Sequence, residues 1–203
     1  MTFRTTAIIS VLAAMAIGFA AAMLSSDRQP VSFHSGTALP DPRPVADFAL
    51  VDHHGESLTR AVFSGRWSLV FTGFTNCPDI CPTTLALLAD VAARLRARGG
   101  DLQLLFVSVD PERDTPAALA QYVAHFDPRM IGATGTPPQV DSFGAGLGLA
   151  HLRNPGAGGA YTVDHSAALV LIDPEARIAG YFQPPFDPEV LAADLVPLFA
   201  RRS

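Results

Sequence analysis

The only two cysteines of the chain stand four residues apart, in the segment Thr75–Pro82 (TNCPDICP). Each cysteine directly precedes a proline, which disfavours helical backbone at both positions. We therefore expect Cys77 and Cys81 to lie in a constrained loop, just before a helix that begins at Pro82. The unpaired N–H groups at the start of that helix favour thiolate over thiol.

Two thiolates on a rigid loop can close a disulfide or bind a soft metal ion. The three-residue spacer is one residue longer than that of most C-x-x-C disulfide exchangers. Cysteines that merely fill the core are a third interpretation, and the proline-rich loop disfavours it. A disulfide between positions this close stabilises a fold little, and an exported disulfide framework would use more cysteines. Chemistry is therefore the better explanation for the pair.

A third ligand for a metal can come from one of six histidines. His165 is the candidate, because the order of the predicted elements brings it to the cysteines. Five histidines are expected to be solvated or merely packed: His34, His53, His54, His125 and His151. Two thiolates with one imidazole suit Cu(I) and can also hold Cu(II). Structural zinc usually takes four protein ligands, and the chain offers no further cysteine.

The elements that position these residues alternate along the chain. Apolar runs predict buried strands over Ser68–Phe74 and Gln103–Val109, and 3–4 spacing predicts a helix over Pro82–Arg98 between them. Strand, helix and strand in this order form a right-handed βαβ unit with parallel strands. The later predicted elements are a helix over Pro116–Phe126, a glycine-rich stretch over 132–159 with a short helix near Gln139–Phe143, a hairpin of Ala167–Ile172 with Ile178–Phe182, and a helix over Pro188–Phe199.

This element order predicts an α/β, thioredoxin-like fold with a central mixed sheet flanked by helices. The cysteine loop then lies at the carboxyl end of a parallel strand, where α/β sheets bind their ligands. A strand antiparallel to Ser68–Phe74 begins at that same end. The loop that contains His165 is therefore expected beside Cys77 and Cys81.

Acidic residues also face the predicted site. Asp164 can orient His165, as carboxylates next to metal-binding histidines often do, or cap a turn. Asp110 and Asp114 follow the second parallel strand and could support the metal ligands from behind. For Asp114, turn formation and capping of the helix at Pro116 is the simpler explanation.

The amino-terminal residues precede the domain. No charge occurs from Thr5 to Ser26, a span long enough to cross ~30 Å of hydrocarbon as a helix. We expect residues 1–26 to form a membrane anchor, with a cleaved signal peptide as the alternative. Residues 27–44, with four prolines, are expected to be a tether, and residues 45–203 the copper-binding domain. Arg4 before the span places the domain outside the cytoplasmic membrane, facing the periplasm.

Charge excludes one class of partner. The chain has 203 residues, with 14 basic and 19 acidic side chains and a net charge of -5. A length of this order fits one domain with an appendage. No basic stretch is long enough to neutralise a phosphate backbone, so we expect no nucleic-acid partner.

Three stretches in this order resemble the Sco/SenC family of copper metallochaperones. They are Trp67–Leu85 (WSLVFTGFTNCPDICPTTL), Val107–Pro116 (VSVDPERDTP) and Tyr161–Pro174 (YTVDHSAALVLIDP). The resemblance runs from about Val45 to Phe199. Many members carry His or Tyr where this chain has Asn76, a position that is not a ligand in the family. This departure leaves the metal site intact and bears on redox tuning.

The resemblance implies a thioredoxin-like domain on an amino-terminal anchor, with copper bound by Cys77, Cys81 and His165. It also implies a role in assembling the dinuclear copper centre of cytochrome c oxidase subunit II, by delivering copper, by reducing the target thiols, or by both. The implied partners are that subunit or another copper acceptor, and a copper donor or thiol reductant.

The same residues are compatible with other functions. A thiol–disulfide oxidoreductase would use Cys77 and Cys81 as a redox-active disulfide and would not need His165. A peroxidase is less well supported, because the threonine expected three residues before the reactive cysteine is Phe74. A redox or copper sensor would use the same metal site. We expect a metal-binding protein rather than an enzyme.

Overall fold

The computed structural model describes residues 32–156, 158 and 160–200, and the chain from Ser32 onward forms one compact unit. Its strands are β1 Gly36–Pro44, β2 Ala49–Asp52, β3 Ser57–Thr59, β4 Ser68–Gly73, β5 Gln103–Ser108, β6 Ile131–Thr134, β7 His151–Pro155, β8 Tyr161–His165, β9 Leu169–Ile172 and β10 Arg177–Phe182. Its helices are α1 Ile80–Arg96, α2 Pro116–Phe126, α3 Pro137–Gly146 and α4 Pro188–Ala200, with a short 3-10 helix over Arg60–Phe63.

Eight strands form one mixed sheet in the order β1-β10-β9-β4-β5-β6-β2-β3. The central strands β4 and β5 are parallel and buried along their whole length, as their continuous apolar sequences require. Helix α1 connects them and packs beside α4, while α2 packs on β6. The predicted thioredoxin-like fold with a central mixed sheet is confirmed.

The predicted antiparallel hairpin is also present. Strand β9 pairs antiparallel with β10, and the connection closes where Asp173 donates its backbone N–H to Arg177 at 2.9 Å. On its other side β9 pairs antiparallel with β4, with Leu169 opposite Phe71. The start of β9 therefore lies at the carboxyl end of β4, which is the geometry that the element order predicts.

The structure differs from the expected tether at Gly36–Pro44. These residues form β1, which pairs antiparallel with β10 at the edge of the main sheet. Three of its residues are prolines, which an edge strand tolerates because one of its sides needs no ladder hydrogen bonds. The register also shifts between Ala38 and Arg43. Prolines and a bulge together hide the alternation by which a strand is recognised.

A second difference lies in the glycine-rich stretch. Strands β7 and β8 form a separate two-stranded sheet, in which His151 pairs with His165 and Pro155 with Tyr161. His165 therefore ends a strand and does not lie in a loop. Strands β2 and β3, which extend the far side of the main sheet, also went unpredicted.

The predicted anchor over residues 1–26 lies outside the described residues. Within the part of the chain that the structure describes, no helix has the length and apolar character needed to span a membrane.

Candidate metal centre

The segment Phe74–Cys81, here called the cysteine arm, leaves the buried end of β4. Its turn is closed where the Cys77 N–H donates to the Phe74 carbonyl at 3.2 Å. Helix α1 begins at Ile80, so Cys81 lies in the first helical turn and not in the loop before it. The prediction of a helix start at Pro82 was wrong by two residues. A proline in the first turn removes only an N–H that has no helical partner, so the turn can form around it.

Cys81 packs directly against the backbone of β4. It is fully buried, and a Cβ atom added to Gly73 would lie 2.6 Å from the Cys81 Sγ and 2.9 Å from the ring of Phe106. Real Cβ atoms essentially never come within 3.0 Å of such neighbours. Gly73 is therefore the residue whose missing side chain leaves room for the sulfur.

The environment of Cys81 differs from the expected one. Burial raises the pKa of the Cys81 thiol well above its ordinary range, and the backbone hydrogen bond from Phe74 offsets only part of this shift. The expectation that the helix start favours thiolate at Cys81 was wrong, because loss of water outweighs the helix field here. A metal ion would have to displace the proton from this sulfur.

The β7–β8 hairpin, here called the histidine arm, carries His165 to the cysteines. The His165 Nε2 lies 3.4 Å from the Cys81 Sγ, and Nδ1 lies 3.1 Å from the Ser166 carbonyl oxygen. A carbonyl only accepts hydrogen bonds, so the proton of the neutral ring belongs on Nδ1. The lone pair of Nε2 then faces the sulfurs, as a metal ligand requires.

Cys77, Cys81 and His165 bring their ligand atoms within 4.8 Å of one another. Among the described residues, these three form the one cluster of His, Cys, Asp or Glu side chains able to hold a metal ion. Bonds of about 2.0–2.3 Å to nitrogen and sulfur would place the donors of a three-coordinate site roughly 4 Å apart. The observed spacing therefore needs little adjustment. Cys77 and Cys81 are both free thiols, with Cys81 buried and Cys77 partly exposed.

Two aromatic rings enclose the imidazole. Phe71 and Phe74 meet the His165 ring edge-on, with centroid distances of 5.9 and 6.0 Å. Burial lowers the pKa of His165 below its ordinary value, although the hydrogen bond with Ser166 acts in the opposite direction. The ring is therefore kept neutral, in the form that binds a metal.

Asp114 supports the cysteine arm and does not cap α2. Its fully buried carboxylate accepts the Thr75 N–H at 2.9 Å, the Thr75 hydroxyl at 2.6 Å and the Ser108 hydroxyl at 2.6 Å. Thr115 caps the helix, since its hydroxyl accepts the Ala118 N–H. The capping explanation for Asp114 was therefore wrong, because a buried carboxylate needs several donors and the cysteine arm supplies them.

Asp110 and Asp164 have different surroundings. Asp110 is fully buried, accepts the Tyr161 hydroxyl at 2.7 Å and pairs with Arg113. Asp164 is exposed and accepts from the Asn154 amide at 2.7 Å across the histidine arm. Successive side chains of a strand point to opposite faces, so the hydrogen bond of Asp164 goes to Asn154, and an orienting role toward His165 stays a prediction.

Three of the other histidines have definite structural partners, and the first is His53, whose Nδ1 accepts the Gly132 N–H at 3.1 Å. His151 pairs with His165 in strand register, yet its Nε2 lies 3.0 Å from an oxygen of Asp141. His34, expected in the tether, lies against α4, where its backbone N–H and ring both contact Asp194.

Sequence reasoning missed Gly73, Thr75, Arg113 and Tyr161, which shape the site without being ligands. A glycine that ends a buried strand just before a reactive loop is a usable signal for close packing. The alternation in Tyr161–His165 (YTVDH) is a usable signal for a strand whose inner face carries Tyr161, Val163 and His165.

Known proteins resemble this chain in sequence and in fold. The SCO1/SenC family model matches residues 37–200. The mitochondrial SCO2 homolog of Bos taurus is 42% identical over 139 residues, which are 67% of this chain and 52% of that protein. The chain spans about half the length of the SCO2 homologs that it matches.

Two solved structures are similar over most of their length. Arabidopsis thaliana ScoI with copper bound is 33% identical with a TM-score of 0.72, over 75% of this chain and 95% of that one. Bradyrhizobium japonicum ScoI with copper bound is 33% identical with a TM-score of 0.70, over 77% of this chain and 99% of that one. With its family model matched from residue 37 to residue 200, this chain belongs to the SCO1/SenC family.

Proposed function

We propose that this protein binds one copper ion through Cys77, Cys81 and His165 and acts as a copper metallochaperone. Its target would be the dinuclear copper centre of cytochrome c oxidase subunit II or another copper acceptor, and a copper donor or thiol reductant would recharge it. The observation that carries the proposal is the convergence of two free thiols and one neutral imidazole within 4.8 Å. The copper bound in similar ScoI structures supports the choice of metal.

The chemistry of the donors favours copper over harder ions. Thiolate and imidazole ligands suit Cu(I), and the nitrogen donor adds affinity for Cu(II). The copper here is cargo, so the site must both hold the ion and release it. Cys77 is the less buried of the two cysteines, so we expect an acceptor thiol to begin ligand exchange at its sulfur.

We propose further that residues 1–26 anchor the protein in the cytoplasmic membrane with the domain facing the periplasm. The uncharged run Thr5–Ser26 supports this, as does Arg4 before it. Fractionation of cells that express the full-length chain tests it. Recovery in the soluble cytoplasm would contradict the proposal, and release into the periplasm would replace the anchor with a signal peptide.

A copper titration of the reduced and the oxidised protein tests the metal site. A disulfide between Cys77 and Cys81 consumes both sulfur ligands, so the oxidised protein should lose most of its copper affinity and keep its fold. One copper bound equally tightly by both forms would place the site elsewhere. Circular dichroism of both forms controls for unfolding.

Thiol–disulfide exchange is the alternative function, and the structure offers specific support for only part of it. The two free thiols lie close together, and Cys77 is the less buried of the two. The raised pKa of the Cys81 thiol disfavours Cys81 as the attacking group, because thiolates are the nucleophiles in thiol–disulfide exchange. Reductase activity measured beside copper binding separates the two functions.

A further inference from the structure

One short loop contacts both halves of the metal site. The loop Val109–Thr115, here called the spacer loop, joins β5 to α2. Asp114 at one end holds the cysteine arm through two hydrogen bonds from Thr75. Asp110 at the other end holds the histidine arm through the Tyr161 hydroxyl at 2.7 Å. The two carboxylates also belong to one unit, since the Asp114 N–H donates to the Asp110 carbonyl at 3.0 Å.

Arg113 in the spacer loop contacts both arms as well. Its guanidinium carbon lies 3.9 Å from the centroid of the Tyr161 ring and 5.7 Å from that of Phe74. The same guanidinium pairs with Asp110 and donates to the Tyr161 carbonyl at 3.4 Å. Arg153 covers the Tyr161 ring at 4.2 Å, so two cations contact this one ring. Phe74 in turn meets the His165 ring edge-on.

The histidine arm needs such a support. Within the described part of the chain, β7 and β8 form a sheet of their own and share no ladder with the eight-stranded sheet. A two-stranded hairpin is only marginally stable by itself. Its orientation therefore depends on side-chain contacts. These come from its inner face, which carries Tyr161, Val163 and His165, and from Arg153, which pairs with Glu112 and Asp110 of the spacer loop.

We propose that the spacer loop sets the distance between the thiol pair and the imidazole, with Arg113 and Tyr161 as positioning residues for His165. This rests on the proposed function, in which His165 is a copper ligand. Loss of the Tyr161 or Arg113 contacts would loosen the histidine arm, while the hydrogen bonds from Thr75 to Asp114 would keep the cysteine arm in place. Cu(II), which needs the imidazole, would then be held less tightly, while Cu(I) could still bind to the two thiolates.

The test uses the reduced full-length protein and two variants, Tyr161→Phe and Arg113→Met. Tyr161→Phe keeps the ring and removes only the hydroxyl that binds Asp110. We expect it to lower Cu(II) affinity by about 10–100-fold, as is typical of residues that orient metal ligands. Arg113→Met should have at least as large an effect. In both variants the thiolate–Cu(II) charge-transfer band should shift, and Cu(I) affinity should change much less than Cu(II) affinity.

Arg96→Met is the matched control. Arg96 pairs with buried Asp127 at 2.8 Å, and its side chain is 30% exposed, as is that of Arg113. A general loss of packing would lower the melting temperature of both arginine variants without changing the ratio of Cu(II) to Cu(I) affinity. If Arg113 positions His165, the ratio of Cu(II) to Cu(I) affinity should change in Arg113→Met and stay at the wild-type value in Arg96→Met.

A measurement without copper separates this proposal from the proposed function. In the metal-free protein, nuclear Overhauser contacts between the His165 and Phe74 rings should weaken in Tyr161→Phe. If the wild-type protein failed to bind copper, the proposed function would be wrong. The contacts between the His165 and Phe74 rings would still test the positioning role. If Tyr161→Phe keeps both the ring contacts and wild-type Cu(II) affinity, the spacer loop does not position His165. That result would stand even if Arg113→Met failed to fold.

Discussion

The two arms of the metal site are held in different ways. The cysteine arm directly follows the buried strand β4, and Cys81 is fully buried against the backbone of that strand at Gly73. The histidine arm is a two-stranded hairpin outside the main sheet. Val163 anchors it in the hydrophobic core, and its other contacts are largely polar and cation–ring contacts at Tyr161 and Arg153. Core packing leaves a side chain few alternatives, whereas contacts near the surface can be exchanged. The Cys81 sulfur is thus fixed by the core, whereas we propose that His165 depends on the contacts at Tyr161 and Arg113.

The largest expected effect comes from removing a sulfur. Cys81→Ser and Cys77→Ser should each abolish tight binding of both Cu(I) and Cu(II), because a serine hydroxyl is a hard, poorly ionised ligand. The loss should exceed the ~10–100-fold effect of groups that only orient ligands. Competition titrations with a Cu(I) chelator measure it. Tight 1:1 binding in either variant would contradict the assignment of the sulfurs.

Removal of the imidazole should weaken the binding of Cu(II) much more than the binding of Cu(I). His165→Ala should bind Cu(II) more than ~100-fold less tightly, with a much smaller change for Cu(I), which tolerates two thiolates alone. Disulfide exchange should be little affected. His151→Ala is the control, since His151 pairs with His165 in register but contacts Asp141. Equal Cu(II) affinities for His165→Ala and wild type would exclude His165 from the site.

A methyl group on Gly73 tests the rigidity of the cysteine arm. In Gly73→Ala the new Cβ would meet the Cys81 Sγ at 2.6 Å, so the sulfur must move. We expect at least a ~10-fold loss of affinity for both copper ions, which distinguishes this variant from those of the histidine arm. Gly146→Ala, whose Cβ would meet Ala46 at an ordinary 3.5 Å, is the control. Unchanged binding of both ions by Gly73→Ala would show that the cysteine arm can shift without loss of copper affinity.

The smallest effect on copper should come from Asp194, which lies in neither arm. Its buried carboxylate accepts four hydrogen bonds from His34 and Ser35, which hold the chain just before β1 against α4. Burial by itself would raise the pKa of Asp194, but these hydrogen bonds lower it overall. Asp194→Asn should cost about 1–3 kcal/mol of unfolding free energy and leave copper affinity unchanged.

The pH dependence of that variant follows from the lowered pKa. A group whose pKa is lower in the folded state stabilises the fold above its unfolded pKa, and this contribution is lost as the pH falls through the folded value. Wild type should therefore lose more stability between neutral and strongly acidic pH than Asp194→Asn does. Urea unfolding at a series of pH values measures the difference. Parallel pH profiles would show that the charge of Asp194 adds nothing.

The sequence alone determined the central βαβ unit, the hairpin and the ligand candidates. Strands β4 and β5 are continuous apolar runs, and α2 begins at Thr115-Pro116 as its capping signal predicts. Local signals of this kind suffice because burial and capping act on neighbouring residues. Element order then brought His165 to Cys77 and Cys81, although 84 residues separate His165 from Cys81.

Only the tertiary structure decided how those residues are held. Strand β1 could not be recognised from its prolines, since its pairing with β10 is what makes it a strand. The roles of Asp110 and Asp114 depend on Tyr161 and Thr75, which are 51 and 39 residues away. The pKa of Cys81 rises because the folded chain buries the sulfur, and this effect outweighs the stabilisation of the thiolate by the helix start. In each case the deciding effect arises only in the folded chain, through strand pairing, distant hydrogen bonds or burial, and no local pattern in the sequence encodes its energy.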